Sequence, residues 1–218
     1  MGSEITINKK YDSKIEIWNT ISHGLGVLLG IGFLIYLVAA NVKSENLLAV
    51  VGFSIYGACF ILMFLMSTIY HGVQNPKAKR ILRVFDHISI YYFIAGSFTP
   101  VILLALEGTP RIVFMAVIWS IALLGTIYKI VSYKNYDKFK MLSTIIYIGM
   151  GWLAVFLIKP IINTFPPQLV FWLVFGGVVY TAGTFFYKYD KLKYHHVIWH
   201  FFVLIAAISH FIGFVYIV

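Results

Sequence analysis

Residues 47–71 read LLAVVGFSIYGACFILMFLMSTIYH, with no acid, lysine or arginine anywhere in the stretch. At about 1.5 Å of rise per residue, such a run is long enough as an α-helix to cross the roughly 30 Å hydrocarbon core of a bilayer. It ends in Ser67 and His71, four positions apart and therefore on one helical face. Similar apolar runs recur at 20–40, 84–106, 112–131, 141–158, 168–187 and 196–218. Hydrophobic residues make up 61% of the chain and charged residues 11%, so lipid is the solvent that the fold must satisfy. The alternation that marks barrel strands is absent, which leaves helices as the spanning structure.

The expected fold is therefore an all-α integral membrane protein, a seven-transmembrane helix bundle. A polar segment, 1–19, precedes a membrane domain, 20–218, and the connections are 41–46, 71–83, 107–111, 132–140, 159–167 and 188–195. None has room for a soluble domain. The polar leader is long and the first apolar run exceeds the usual core of a signal peptide, so cleavage is not expected. Cys59, the single cysteine, lies inside an apolar run and reads as a small buried hydrophobe.

Charge gives the orientation. Lys9, Lys10, Lys14, Lys77, Lys79, Arg80, Arg83, Lys129, Lys134, Lys138, Lys140, Lys188, Lys191 and Lys193 fall on the N-terminal side of the membrane, and Lys43, Arg111 and Lys159 on the other. Fourteen against three places the N-terminus in the cytoplasm and, after seven spans, the C-terminus outside. The formal charge of +9 is accounted for by this bias and by anionic inner-leaflet lipids as partners, with no nucleic acid required. A G-protein-coupled receptor has the opposite orientation. An opsin needs a lysine in its last helix, and residues 196–218 contain none.

Depth then sorts the polar residues. Ser67 and His71 end the second span at the cytoplasmic side, and Asp86 enters the third span there, where a carboxylate is costly without a partner. His196 and His200 open the last span at i,i+4, a spacing that aims two imidazoles at one point. Glu16, Asn19 and His23 share the same end of the first helix. Alone, each residue has an ordinary reading. Asp86 can pair with Arg83 at a helix start, Ser67 can back-bond to its own helix, and Glu16 and Asn19 can cap or solvate theirs. His-x3-His also occurs in haem bundles, but those need a second pair on a partner helix, which is absent here. His87, His195 and His210 read as structural, His210 lying about 21 Å along the helix from His196.

The patterns Glu16-x2-Asn19, Ser67-x3-His71, Asp86 running into Gly96-Ser97-Phe98-Thr99-Pro100, and His196-x3-His200 followed by Ser209-His210-Phe211 together resemble the progestin and adipoQ receptor superfamily. Its short bacterial branch is called hemolysin III. The resemblance covers essentially the whole chain. It implies seven helices with a cytoplasmic N-terminus, a multi-pass protein of the bacterial cell membrane, and zinc (Zn2+) held by His71, His196 and His200. Asp86 and Ser67 would stand beside the metal, with Glu16, Asn19 and His23 supporting its ligands.

Three histidines leave zinc an open fourth position, as in hydrolytic zinc sites. Asp86 would then act as general base or water-orienting acceptor, and Ser67 as an oxyanion donor or orienting group. A lipid amide or ester suits a site reached from the bilayer, and relatives with ceramidase-like activity extend this by analogy to a sphingolipid-type amide. Two other readings stand beside the hydrolase: a hemolysin-like cytolytic protein, and a regulator of membrane state in which zinc, closed by Asp86, clips the second, third and seventh helices.

Reporter fusions at the two ends are expected to place the N-terminus in the cytoplasm and the C-terminus outside. A C-terminal fusion active only in the cytoplasm would overturn the orientation or the count of spans.

Overall fold

The structure, a computed structural model, describes residues 12–133, 140–189 and 191–218. Eight α-helices follow one another: α1 (Ser13–Lys43), α2 (Leu47–Gly72), α3 (Pro76–Ala105), α4 (Gly108–Val131), α5 (Lys140–Trp152), α6 (Ile158–Thr164), α7 (Pro167–Lys188) and α8 (His195–Val215). A 3-10 turn, Leu153–Leu157, joins α5 to α6, and together they form one span, so among the described residues the helices long and apolar enough to cross a membrane number seven. Among the described residues there is no strand.

The spans are longer than the apolar runs. Residues 1–11 of the expected polar segment lie outside the described residues, but its remainder is helical: Asp12 caps α1 by accepting from the Lys14 N–H at 3.0 Å. Likewise α3 begins at Pro76, where Asn75 accepts from the N–H groups of Lys77 and Ala78 and proline occupies the first turn. The expected connection 71–83 therefore shrinks to Val73, Gln74 and Asn75. Hydropathy reports only the part of a helix that faces lipid, while capping decides where the helix starts. Lys193, in the connection before α8, approaches Asp12 to 3.2 Å. Its hydrogen bond holds the Asp12 carboxyl below its usual range, and the carboxylate raises the lysine in turn. Both groups are exposed, so the pair adds little stability.

The fifth span departs furthest from the expectation of a continuous helix over 141–158. Pro160 cannot donate to the carbonyl of Phe156, which lies in the 3-10 turn, and its ring crowds that carbonyl. Gly149 and Gly151 just before the turn add no helix preference, and the chain resumes as α6 as far as Thr164.

In α2, α3 and α8 half or more of the apolar stretch is buried, against about a fifth in the other spans. These three helices form the centre, α1 packs on α2 and α8, α4 on α3, and α7 on α8. The core is aromatic: Phe53, Tyr56, Phe60, Phe64, Phe93 and Phe214 meet face to edge along its length. Large apolar side chains such as Leu28, Ile35 and Phe171 point outward, where lipid covers them. Cys59 is buried and free, as expected.

Without a hydrophobic force between helices in lipid, close packing decides association. A Cβ at Gly52 would stand 2.9 Å from the Pro100 Cα, and one at Gly96 would stand 2.7 Å from the Cys59 Cβ, so α2 and α3 touch almost backbone to backbone. Gly52→Ala should accordingly cost about 1–3 kcal/mol in a detergent unfolding titration, because the opposing atom is main chain and cannot step aside. Gly32→Ala, with open space around it, is expected to be neutral or slightly stabilising. Equal effects at the two positions would contradict this packing account.

Candidate metal centre

The last turns of α2, the first turns of α8, and the first turns of α1 and α3 meet at one end of the bundle. Ser67 and His71 come from α2, His196 and His200 from α8, Glu16, Asn19, Ser22 and His23 from α1, and Lys79 and Asp86 from α3. One ligand nitrogen from each of His71, His196 and His200 lies within 4.8 Å of the other two. A tetrahedral zinc with bonds of about 2.0–2.1 Å would hold such nitrogens roughly 3.3 Å apart, so small side-chain adjustments complete the geometry. His71 and His200 are buried and His196 half-buried.

The chemistry of the donor set fits a metal. His71 Nδ1 lies 3.0 Å from the Glu16 carboxylate, which fixes that nitrogen as the donor and leaves Nε2 to bind. His71 Nε2 is buried and has no protein partner. The His200 ring lies against the Asn19 backbone, its Nδ1 3.4 Å from the Ser22 hydroxyl, which itself donates to the Asn19 carbonyl at 3.0 Å. The Asn19 side chain packs beside His71, its amide nitrogen 3.4 Å from Nδ1. His23 stacks on His200 with ring centroids 3.7 Å apart and edges against Phe64, packing the ligand from behind.

Glu16 is held in turn by Lys79, whose ammonium donates to the same carboxylate oxygen at 2.5 Å. The ammonium also reaches the carbonyls of Tyr70, His71 and Val73 at 3.1, 3.4 and 3.4 Å, the orphan acceptors where α2 ends. Lys79 is 2% exposed, so it is part of the site and not a loop charge available to lipid headgroups. Sequence reasoning counted it only towards orientation. Its signal was its position seven residues before Asp86, two turns away on the same face of α3. Ser22 was missed as well, although it lies on the helical segment between Asn19 and His23.

Asp86 stands beside the histidines without joining their donor group. The Ser67 hydroxyl bonds to its carboxylate, and His87 Nδ1 lies 3.3 Å from its Oδ2. Arg83, on the turn before, and the buried Lys129 bring positive charge near Asp86. His87 is committed elsewhere: Nδ1 lies 2.8 Å from the Arg83 carbonyl and Nε2 3.2 Å from the Tyr187 hydroxyl, while Tyr147 donates to the His87 carbonyl at 2.8 Å. It thereby ties α3 to α5 and α7. His195 bonds the Phe186 carbonyl at 2.9 Å and closes the turn between α7 and α8. His210 is remote from the cluster, as its position in the helix requires.

A cavity of about 320 Å³ opens from this cluster into the bundle. Ser67, Asp86, His196 and His200 line one end, and the walls are side chains of α3, the interrupted fifth span, α7 and α8, nearly all apolar. The break between α5 and α6 lies along this wall, where Gly151, Trp152, Ala154 and Val155 face the space.

The chain belongs to the haemolysin-III related family, whose model matches residues 11–211. It is 39% identical over 198 residues to the Hemolysin-3 homolog of Bacillus subtilis (strain 168), covering 91% of this chain and 92% of that one. To Hemolysin-3 of Bacillus cereus it is 39% identical over 191 residues, 88% and 86% of the two chains. The Monocyte to macrophage differentiation factor of Homo sapiens is 31% identical over 163 residues, 72% of this chain and 66% of the human protein, in keeping with the progestin and adipoQ receptor superfamily. The protein is a multi-pass protein of the cell membrane.

Purified protein is expected to carry about one zinc per chain, and alanine at His71, His196 or His200 should remove it. Glu16→Gln, which keeps the volume but weakens the acceptor on His71 Nδ1, should lower zinc affinity about 10- to 100-fold. Elemental analysis finding no metal in native protein, or full occupancy in all three alanine variants, would refute the site.

Proposed function

We propose that this protein is a zinc-dependent hydrolase of a lipid amide or ester, acting near the cytoplasmic face on a substrate whose chain stays within the bundle. One observation carries the reading: His196 and His200 of the donor set, with Asp86 and Ser67, line the end of a cavity whose remaining walls are mostly apolar. A purely structural metal needs no access to such a space, whereas a lipid headgroup presented to the donors with its chain in the cavity needs both parts.

The bound metal would supply Lewis-acid polarisation of the scissile carbonyl and a water acidic enough to react at neutral pH. The residues of the chain do the rest. Asp86 lies next to the donors and outside their set, the place for a base that takes a proton from the attacking water and returns it to the leaving nitrogen or oxygen. The Ser67 hydroxyl, bonded to Asp86, aims that carboxylate. Glu16 and Lys79 keep His71 oriented, and the Asn19 carbonyl with Ser22 does the same for His200. The apolar walls exclude bulk water and bind the chain.

The clip reading requires a fourth protein donor. Among the described residues the group that comes together is three histidines, with Asp86 left outside, and this favours the open site. The name Hemolysin-3 carried by the relatives brings in lysis as a second reading. A lytic activity that persists unchanged after loss of hydrolysis would separate the two.

Asp86→Asn is expected to retain most of the zinc, since the three histidines remain, and to lower turnover of a susceptible lipid amide or ester by about 10²- to 10⁴-fold. Zinc content and fatty-acid release are measured on the same sample. Parallel loss of zinc and thermal stability would make the carboxylate a structural ligand instead. Fully metallated native protein releasing no fatty acid from any membrane lipid pool would refute the hydrolase.

A further inference from the structure

The cavity has a second polar region that the metal centre does not use. His210 on α8 and Tyr180 on α7 both line it, their rings edge to face with centroids 5.6 Å apart. Ten residues, about 15 Å of helix rise, separate His210 from His200. The Tyr180 hydroxyl and His210 Nδ1 are buried, and neither has a protein partner. The Leu173 carbonyl lies against the His210 ring, so with Nδ1 unpartnered the ring proton belongs on Nε2 and Nδ1 remains an acceptor. Tyr56, whose ring like that of Tyr180 contacts Phe93, has a further buried hydroxyl without a protein partner. The position of His210 depends on Gly176, where any side chain would collide with the imidazole.

Polar atoms in an apolar interior are normally satisfied, and a run of unsatisfied ones beside a cavity points to what the cavity takes. We propose that His210 and Tyr180 form a second polar station that binds a hydroxyl group carried in mid-chain by a long lipid chain whose head lies at the histidine cluster. The donor count selects this group. His210 Nδ1 needs a donor, and the Tyr180 hydroxyl can give or accept, so the complementary group must do both. A hydroxyl does so without bringing a charge into the apolar wall. A carbonyl has no proton for Nδ1, and a carboxylate would carry its charge into a space with no cation beside it among the cavity-lining residues. The fold thus measures a distance along the chain, from the metal donors to the station.

This inference rests on the reading of the cavity as a lipid-chain site, and the experiment separates the two. Metallated full-length protein in detergent is titrated with three probes, each competing against a fluorescent fatty acid. They are a long saturated fatty acid, the same acid with one mid-chain hydroxyl, and an isomer with the hydroxyl next to the carboxyl end. The mid-chain hydroxy acid should bind roughly tenfold tighter than the other two. Tyr180→Phe and His210→Phe should remove that preference while leaving affinity for the saturated acid unchanged. Tyr180→Phe deletes a single oxygen, so it reports even if His210→Phe folds poorly. Binding of all three acids with equal affinity by native protein would overturn the station and leave the lipid-chain reading intact. A preference that survives Tyr180→Phe would also overturn the station. Binding of none would overturn both.

Discussion

One carboxylate holds the working end of this bundle together. Glu16 on α1 is shared by the His71 imidazole on α2 and the Lys79 ammonium on α3. A buried charge survives only if it is paired and its remaining valences are filled, and here the ammonium also collects the carbonyls where α2 ends. Removing one partner of such a pair commonly costs about 3–5 kcal/mol, because the other charge is left behind. The ion pair therefore sets how α1, α2 and α3 meet, and it sets the tautomer of a histidine in the same act. Every other feature of the cluster, including the position of His71 relative to His196 and His200, depends on that meeting.

The opposite chemistry governs the space beyond. Past Ser67 and Asp86 the walls of the cavity are mostly apolar, His210 and Tyr180 apart, and the broken fifth span contributes much of them. A continuous helix would present a regular surface here. The 3-10 turn ahead of Pro160 redirects the chain, and irregular backbone at membrane depth is tolerated only where protein or a cavity covers it. The interruption and the cavity are thus one feature seen from two sides: the chain breaks where the bundle has an interior to line.

How much of this the sequence revealed follows from what hydropathy and periodicity measure. Seven spans were legible because the solvent is lipid and each apolar run is long enough to cross it. The starts of α1 and α3 were placed too late, since Lys14, Lys77 and Lys79 look like loop when only lipid exposure is counted, although Asp12 and Asn75 announce the caps. The fifth span was read as unbroken over 141–158 and closed before Pro160, whereas the chain breaks at Leu153–Leu157 and runs on as helix to Thr164. In the cluster, the convergence of His71, His196 and His200 could be argued from i,i+4 spacing and shared depth, and the structure brings their nitrogens together. Lys79 could not be separated from its neighbours by composition, because a buried lysine and a headgroup-facing lysine look alike until the partner carboxylate is placed. The unpartnered pair of His210 and Tyr180 was beyond sequence altogether, for it lies between two helices and depends on the collision space at Gly176.

In a membrane, helices gain nothing from hiding apolar surface from one another, so polar pairs and close packing carry association. In this bundle some of those pairs are also the groups that orient the clustered histidines. Glu16 with Lys79 joins α1 to α3, Ser22 with His200 joins α1 to α8, and His87 with Tyr187 joins α3 to α7. Stability and the geometry of the histidine cluster therefore draw on the same contacts, and a change at Glu16 or Lys79 alters both at once. Asp86 is placed differently. It lies within α3 with Ser67 as its cross-helix hydroxyl partner, outside both the ligand set and the Glu16–Lys79 pair. Glu16 therefore joins three helices through one buried carboxylate, whereas the Asp86 contacts are separate from that pair, so substitutions at the two acids test different parts of the cluster.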